Sequence, residues 1–122
     1  MVKTANSRQT LGKFGESAAA RYLENFGLKI VDRNWRSGRA GEVDLIALDG
    51  PAAVFVEVKT RRGVVTGLAS EAVDGRKLAR MQRVALSWMA QHGWRSHRFD
   101  VVGVYVAGNE VHSFEWLRDV AQ

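Results

Sequence analysis

The chain has 122 residues, of which 46% are hydrophobic, so we expect one domain with one core and no room for a second domain. It contains no cysteine, which excludes a disulfide framework and thiolate metal sites, and no apolar run is long enough to span a membrane. Lys and Arg number 18 against 13 Asp and Glu, and this net charge of +5 favours a polyanionic partner, with nucleic acid first among them.

The polar residues 1–9 are predicted to form a flexible arm of the single domain 1–122. They lack the hydrophobic segment of a signal peptide, so we expect a cytoplasmic location. Apolar residues at helical spacing then predict a first helix with Thr10 as its N-cap. Gly15 falls within the apolar face of this helix and permits close packing on a sheet. Glu16 lies at the margin of that face, from which a carboxylate can reach a site on the sheet.

Residues 28–35 are predicted to form a strand. A basic loop with two glycines follows, and it contains Arg36 and Arg39. Cationic side chains in such a loop suit contacts with phosphate groups, so we assign both arginines to nucleic-acid binding.

Two alternating apolar segments lie on either side of turn residues at 49–51 and are predicted to form an antiparallel hairpin. An even loop pairs Asp44 with Glu57 and Glu42 with Lys59, which places four ionisable groups on one patch. An odd loop without a bulge would send the two facing acids to opposite faces of the sheet. The prediction therefore depends on loop parity, and we adopt the even register.

The chemistry of this patch indicates a metal-dependent nuclease site. Asp44 and Glu57 on facing strands repel each other unless a cation lies between them. Carboxylates are the ligands that Mg²⁺ and Mn²⁺ accept, together with water and substrate phosphate oxygens. Lys59 would then stabilise charge near the attacking water or the phosphate. The alternative is a solvated hairpin face on which Glu42 and Lys59 form an ion pair, but the same face also carries apolar residues.

The second acid-bearing strand is followed by Arg61, Arg62 and a loop. A second helix is predicted over residues 74–92, with one apolar face and one face rich in Lys and Arg. Such a basic face is most often a solvated surface. Lys77, in the first turn, lies closest to the loop and is the member that we assign to phosphate binding.

The last two strands are predicted over residues 98–106 and 111–116, joined by a short turn. The order is helix, three strands, helix, two strands, which predicts an α/β domain with a central mixed β-sheet flanked by helices. The histidines show no metal-ligand spacing: His92, His97 and His112. The tryptophans are expected mostly in the core or half-buried rather than stacked on bases.

Five motifs together resemble the uncharacterised YraN-type family of bacterial proteins, over nearly the whole chain: GKFGE at 12–16, RNWR at 33–36, GEVDLI at 41–46, FVEVK at 55–59 and RFDVV at 98–102. An acid in the first helix, an Asp on one strand and Glu-x-Lys on the next also resemble the PD-(D/E)XK, or restriction-endonuclease-like, superfamily. The YraN-type family is similar to archaeal Holliday junction resolvases. The proline of the superfamily name is Val43 here.

The resemblance implies a restriction-endonuclease-like core and the catalytic positions Glu16, Asp44, Glu57 and Lys59, with the three acids as ligands of Mg²⁺ or Mn²⁺. We predict an endonuclease that hydrolyses DNA phosphodiester bonds, with branched DNA among its substrates. Two alternatives stay open. The first is a catalytically inactive module that binds nucleic acid or protein on the same fold, and the second is a nuclease for RNA or single-stranded ends.

The predicted phosphate contacts act as charges rather than as base readers: Arg36, Arg39, Arg61, Arg62 and Lys77. No membrane partner is expected. The oligomeric state is open, although symmetric cutting of two strands would favour a two-fold dimer.

Overall fold

The computed structural model describes residues 8–63 and 66–121. Within them, five strands form one mixed sheet with helices packed on both of its faces, an α/β arrangement compatible with a restriction-endonuclease-like core. The elements are α1 (Arg8–Asn25), β1 (Lys29–Ser37), β2 (Gly41–Asp49), β3 (Ala52–Arg62), α2 (Leu68–Glu71), α3 (Gly75–His92), β4 (His97–Ala107) and β5 (Glu110–Leu117).

The sheet order β1-β2-β3-β4-β5 follows the chain order. β1, β2 and β3 form an antiparallel meander, and β4 and β5 form an antiparallel hairpin. β3 and β4 run parallel, which requires a crossover, and α2 and α3 provide it. This order confirms the predicted mixed sheet flanked by helices.

The core has two layers because β3 is buried on both faces, from residue 53 to residue 58. On one face, small residues of α1 such as Ala19 and Ala20 allow the helix to approach the β3 valines closely. At Gly15 the approach is so close that an added Cβ would clash with the Thr60 hydroxyl. The predicted close packing at Gly15 is therefore confirmed. On the other face, α3 packs Met81, Val84 and Trp88 against β2 and β3.

The first helix begins earlier than predicted. Thr10, the predicted N-cap, lies inside α1, which begins at Arg8. Arg8 and Gln9 are good helix formers, so the helix continues through them, and the predicted arm is wrong at these two positions. The rest of that arm, residues 1–7, lies outside the described residues.

The second long helix matches its predicted bounds. Asp74 has an extended backbone, and its Oδ1 accepts a hydrogen bond from the Lys77 backbone N–H at 2.9 Å, as an N-cap does. The helix ends at His92. In the described part of the chain, no helix is long and apolar enough to cross a membrane.

The short helix α2 was not predicted, because four residues are too few to show a periodic pattern. This helix is stabilised by a side chain from another element. The Glu115 carboxylate on β5 accepts hydrogen bonds from the N–H groups of Gly67 at 3.0 Å and Ala69 at 3.2 Å. These bonds satisfy donors at the helix start that would otherwise lack partners.

Most of the tryptophans are buried or half-buried, as predicted. Trp88 is buried, and its indole N–H donates to Asp32 Oδ2 at 2.9 Å. His92 stacks on Trp88, with ring centroids 4.3 Å apart. Trp94 differs from the other tryptophans because it is 67% exposed, in the segment between α3 and β4.

Candidate functional site

The candidate site lies where the β2–β3 hairpin opens. The two strands pair from Asp49 opposite Ala52 to Leu45 opposite Val56, which confirms the even register. Beyond this pair the ladder ends. The next acid, Asp44, instead accepts a hydrogen bond from the Val58 backbone N–H through its Oδ2 at 2.8 Å.

The β1 strand is also irregular beside Asp44. Asn34 has a φ of 48°, in the left-handed region, between the paired residues on either side of it. Val43 packs toward α3, whereas Leu45 packs toward α1. Residues two apart on a regular strand would share a face, so β2 rotates at Asp44. The acid therefore lies where β3 separates from β2 and where the pairing of β1 with β2 skips one residue pair.

Three carboxylates act on the charge of Asp44 at this opening: Glu16, Glu42 and Glu57. Burial is the main cause that raises the pKa of Asp44 from 3.8 to about 7, and repulsion from the neighbouring Glu57 adds to it. The Val58 N–H bond acts in the opposite direction, and the charges of Glu16 and Glu42 raise the pKa further. The predicted acids Glu16 on α1 and Glu57 on β3 therefore both act on Asp44 of β2.

Each predicted acid also has a donor within the protein. Glu57 Oε2 accepts from Lys77 Nζ at 2.9 Å, and the two side chains are 11% and 22% exposed. Glu16 Oε1 accepts from Asn34 Nδ2 at 3.1 Å, and Asn34 Nδ2 also donates to Glu42 Oε2 at 3.2 Å. Within residues 8–63 and 66–121, no three His, Cys, Asp or Glu side chains are arranged closely enough to surround one metal ion.

A basic cleft of about 550 Å³ adjoins these acids. Glu16 lines it together with Lys59, Arg61 and Arg62, so the predicted catalytic lysine and two predicted phosphate contacts share one concave surface. Lys59 is exposed there. Arg61 pairs with Glu71 at 3.2 Å, and Arg62 donates to the carbonyl oxygen of Gly108 at 2.9 Å.

The predicted facing of Glu42 and Lys59 is wrong. Glu42 lies opposite Arg36 on β1, and its Oε1 accepts from Arg36 Nη1 at 3.0 Å. The reason is that β2 stops pairing with β3 at Leu45, so the hairpin register does not extend to Glu42. Glu42 therefore faces the other strand, and the alternative of a Glu42–Lys59 ion pair is excluded. Arg39, another predicted phosphate contact, lies in the exposed β1–β2 turn.

Lys77, predicted to meet phosphate, lies against the acid Glu57. The capped first turn of α3 places it there, because Asp74 fixes the backbone of Lys77 at the end of the helix nearest the site. All four ionisable residues predicted as catalytic thus lie in one region, although Lys59 faces the cleft and Glu57 is held by a second lysine.

A family model decides the relationship of this chain to known proteins. Residues 15–104 match the model described as Uncharacterised protein family UPF0102, which is more than half of the chain. The chain belongs to the UPF0102 family. The matched segment contains Glu16, Asp44, Glu57 and Lys59. The family description names no activity, so the predicted PD-(D/E)XK relationship stays a prediction.

Individual UPF0102 proteins are similar over almost their full length. One from Acidothermus cellulolyticus is 40% identical over 130 aligned residues, covering 97% of this chain and 98% of that protein. One from Rhodococcus jostii is 50% identical over 111 residues, covering 89% and 93%. One from Frankia casuarinae is 52% identical over 98 residues, covering 79% and 82%.

Sequence reasoning missed part of the site in this UPF0102 chain. A second cavity of about 140 Å³ lies beside Glu16 and is lined by Lys13, Ser17, Arg33 and Asn34, none of which was assigned a role. Asn34 gave one usable signal, because asparagine is rare in strands and tolerates the left-handed region. Exposed Lys and Arg side chains on a helix or an edge strand give no such signal.

Proposed function

We propose that this chain is a Mg²⁺- or Mn²⁺-dependent endonuclease that hydrolyses phosphodiester bonds of DNA on a PD-(D/E)XK-type site. One observation carries the proposal: the charges of Glu16 on α1 and Glu57 on β3 both act on Asp44, and Glu16 lines the cleft that contains Lys59. Burial, with repulsion from Glu57 and Glu16 added to it, raises the pKa of Asp44 to about 7. A bound cation would relieve this repulsion, which is unfavourable for the protein alone.

The donor set fits a hard divalent ion. It consists of carboxylate oxygens, without thiolate or imidazole groups, and this composition suits Mg²⁺ or Mn²⁺. Asp44 and Glu57 would hold the ion, and Glu16 would hold a second ion or a water molecule. When bound, the ion would polarise the phosphate and lower the pKa of a bound water. Lys77 must then move from Glu57 or share this carboxylate with the ion.

The remaining residues would act on the substrate directly. The Lys59 ammonium, exposed in the cleft, would orient the attacking water and stabilise negative charge on the phosphate as water attacks in line. Arg61 and Arg62 would hold neighbouring phosphates in the same cleft, and Arg36 and Arg39 would extend the basic surface along the β1–β2 end. The substrate proposed first is branched DNA, and symmetric cutting of two strands would favour a two-fold dimer.

The test is a cleavage assay with four-way-junction, duplex and single-stranded DNA, and with matching RNA, in Mg²⁺, Mn²⁺ or EDTA. We expect DNA cleavage with either metal and none in EDTA. Asp44→Asn should abolish cleavage, because it removes a ligand charge at nearly constant shape. Glu110→Gln, at the exposed start of β5, is the matched control and should cleave like the wild type. Full cleavage by Asp44→Asn would exclude the assigned site.

A second candidate is a module that binds nucleic acid or a partner protein without cutting. It is favoured by one observation, namely that Glu16, Asp44 and Glu57 each already have a hydrogen-bond donor within the protein. Thermal melts with Mn²⁺ separate the two candidates. A metal site gains about RT ln(1 + [L]/Kd) in unfolding free energy, whereas a binding module without a metal site gains little.

A further inference from the structure

We propose that Asn34 is a positioning residue that holds Glu16 beside Asp44, so that Glu16 can hold the second ion or the metal-bound water of the proposed site. The inference rests on the proposed function, because it assigns a task to a residue beside that same site. Three features carry it: the backbone of Asn34, the two hydrogen bonds of its side chain, and its place opposite Asp44.

The backbone of Asn34 is unusual for its position. A φ of 48° within a strand is a conformation that non-glycine residues rarely adopt, and it costs free energy. Glycine would adopt it without that cost, yet the chain has asparagine there. A residue with a side chain at such a position indicates that the side chain contributes something that glycine would not.

The side chain of Asn34 contacts two acids at once. Its Nδ2 donates to Glu16 Oε1 at 3.1 Å and to Glu42 Oε2 at 3.2 Å. An amide nitrogen carries two protons, so each carboxylate receives one of them. The opposite amide orientation would turn an oxygen toward two negative oxygens. The pair of carboxylates therefore fixes the orientation of the amide.

Glu16 needs such a donor. Its charge opposes that of Asp44, and its side chain lines open cavities on both sides. Without a donor, like-charge repulsion would turn this carboxylate toward solvent. Asn34 lies between Arg33 and Trp35, whose partners Leu45 and Val43 flank Asp44. A neutral donor at this place holds Glu16 near the other acids without adding a cation that would compete with a metal ion.

The test uses Mn²⁺ binding measured by calorimetry and metal-free thermal melts of the full chain. Asn34→Gly removes the amide and relieves the backbone, so it should melt at or above the wild-type temperature in EDTA. Its Mn²⁺ affinity should fall by about 10–100-fold, as is typical when an orienting partner of a metal ligand is lost. Asn34→Ala should lose the same affinity but melt lower than Asn34→Gly, because alanine keeps the backbone strain. Asn25→Gly, at the end of α1, should bind Mn²⁺ like the wild type.

Coupling to Glu16 separates positioning from a merely structural role. In a Glu16→Gln background, Asn34→Gly should cause no further loss of Mn²⁺ affinity, since the group through which Asn34 acts is already changed. An equal loss in both backgrounds would overturn the inference. Wild-type Mn²⁺ affinity in Asn34→Gly would also overturn the inference, but it would leave the proposed nuclease function unaffected. A wild-type protein that neither binds Mn²⁺ nor cleaves would instead refute the proposed function, and the inference with it.

Discussion

The substitution Asp44→Asn should make the metal-free protein more stable at alkaline pH. The pKa of Asp44 is raised from 3.8 to about 7 in the folded state, so the unfolded chain carries the ionised form more readily than the folded one. The ionisation of Asp44 therefore has no effect on the free energy of unfolding below about pH 4, and it lowers this free energy as pH rises from 4 to 7. Above pH 7 the free energy of unfolding stays lowered by a constant amount. Asparagine has no charge and avoids this loss.

The size of this gain in unfolding free energy follows from the difference between the pKa of Asp44 in the folded and in the unfolded state. Three pKa units correspond to about 4 kcal/mol of unfolding free energy, which is an upper limit. Because Asp44 is half-buried and solvent screens its charge, we expect roughly 1–3 kcal/mol above pH 7. The hydrogen bond from Val58 is retained, since the asparagine carbonyl oxygen also accepts it.

The assay is urea unfolding in EDTA at several pH values between 4 and 8.5, with wild type, Asp44→Asn and the exposed control Glu110→Gln. The advantage of Asp44→Asn should grow between pH 4 and pH 7 and then level off, and the control should show no such trend. Addition of Mn²⁺ should stabilise the wild type and leave Asp44→Asn nearly unchanged. A variant less stable than wild type at pH 8, or a difference independent of pH, would refute the electrostatic reasoning.

Three further predictions concern the lysine, the basic cleft and the helix contact. Lys59→Ala should keep its Mn²⁺ affinity while cleavage falls by orders of magnitude, because the ammonium serves the transition state; loss of calorimetric Mn²⁺ binding would contradict this. Arg61→Gln should lower the slope of log K against log salt by about 0.9, where K is the association constant for duplex DNA. Arg83→Gln, on the exposed side of α3, should leave this slope unchanged, and equal slopes for the two variants would exclude Arg61 from the DNA interface. Gly15→Ala should lower the free energy of unfolding in urea by about 1–3 kcal/mol, because its Cβ clashes with Thr60 of β3. Gly12→Ala, with nothing within 4 Å of its Cβ, should leave this free energy unchanged or raise it, and similar values for the two variants would show that α1 shifts freely.

Much of the fold follows from local sequence signals. Asp74 predicts the start of α3 because its side chain caps the helix whatever lies beyond it. Loop parity predicts the facing of Leu45 and Val56 because side chains alternate along a strand. The short α2 is different, since a carboxylate from β5 holds it and no pattern within four residues can reveal such a contact.

The site was predictable in composition but not in pairing. The acids Asp44 and Glu57 were chosen from the hairpin, but the pairing of β2 with β3 ends at Leu45 and Val56, one pair before them. The partner of Glu57 is Lys77, which is 20 residues away in sequence and reaches Glu57 through the parallel crossover. Glu42 was misplaced because strand pairing ends at Leu45, and that end depends on the rotation of β2 at Asp44. Pattern reasoning assigns residues to faces of ideal strands. Candidate sites lie where strands depart from the ideal form.

The acid cluster consists of Glu16, Glu42, Asp44 and Glu57, and its cationic partners neutralise only part of its negative charge. The charges of Glu16, Glu42 and Glu57 act on Asp44. Two cations pair with two of these four carboxylates, Arg36 with Glu42 and Lys77 with Glu57. When all six groups are ionised, four negative and two positive charges leave −2. The other donors at Asp44 and Glu16 are a backbone N–H and a neutral amide, which orient the oxygens without removing this charge. One divalent ion would neutralise this charge, which is why Mg²⁺ or Mn²⁺ is the ion that we propose for an anionic site in a net basic protein.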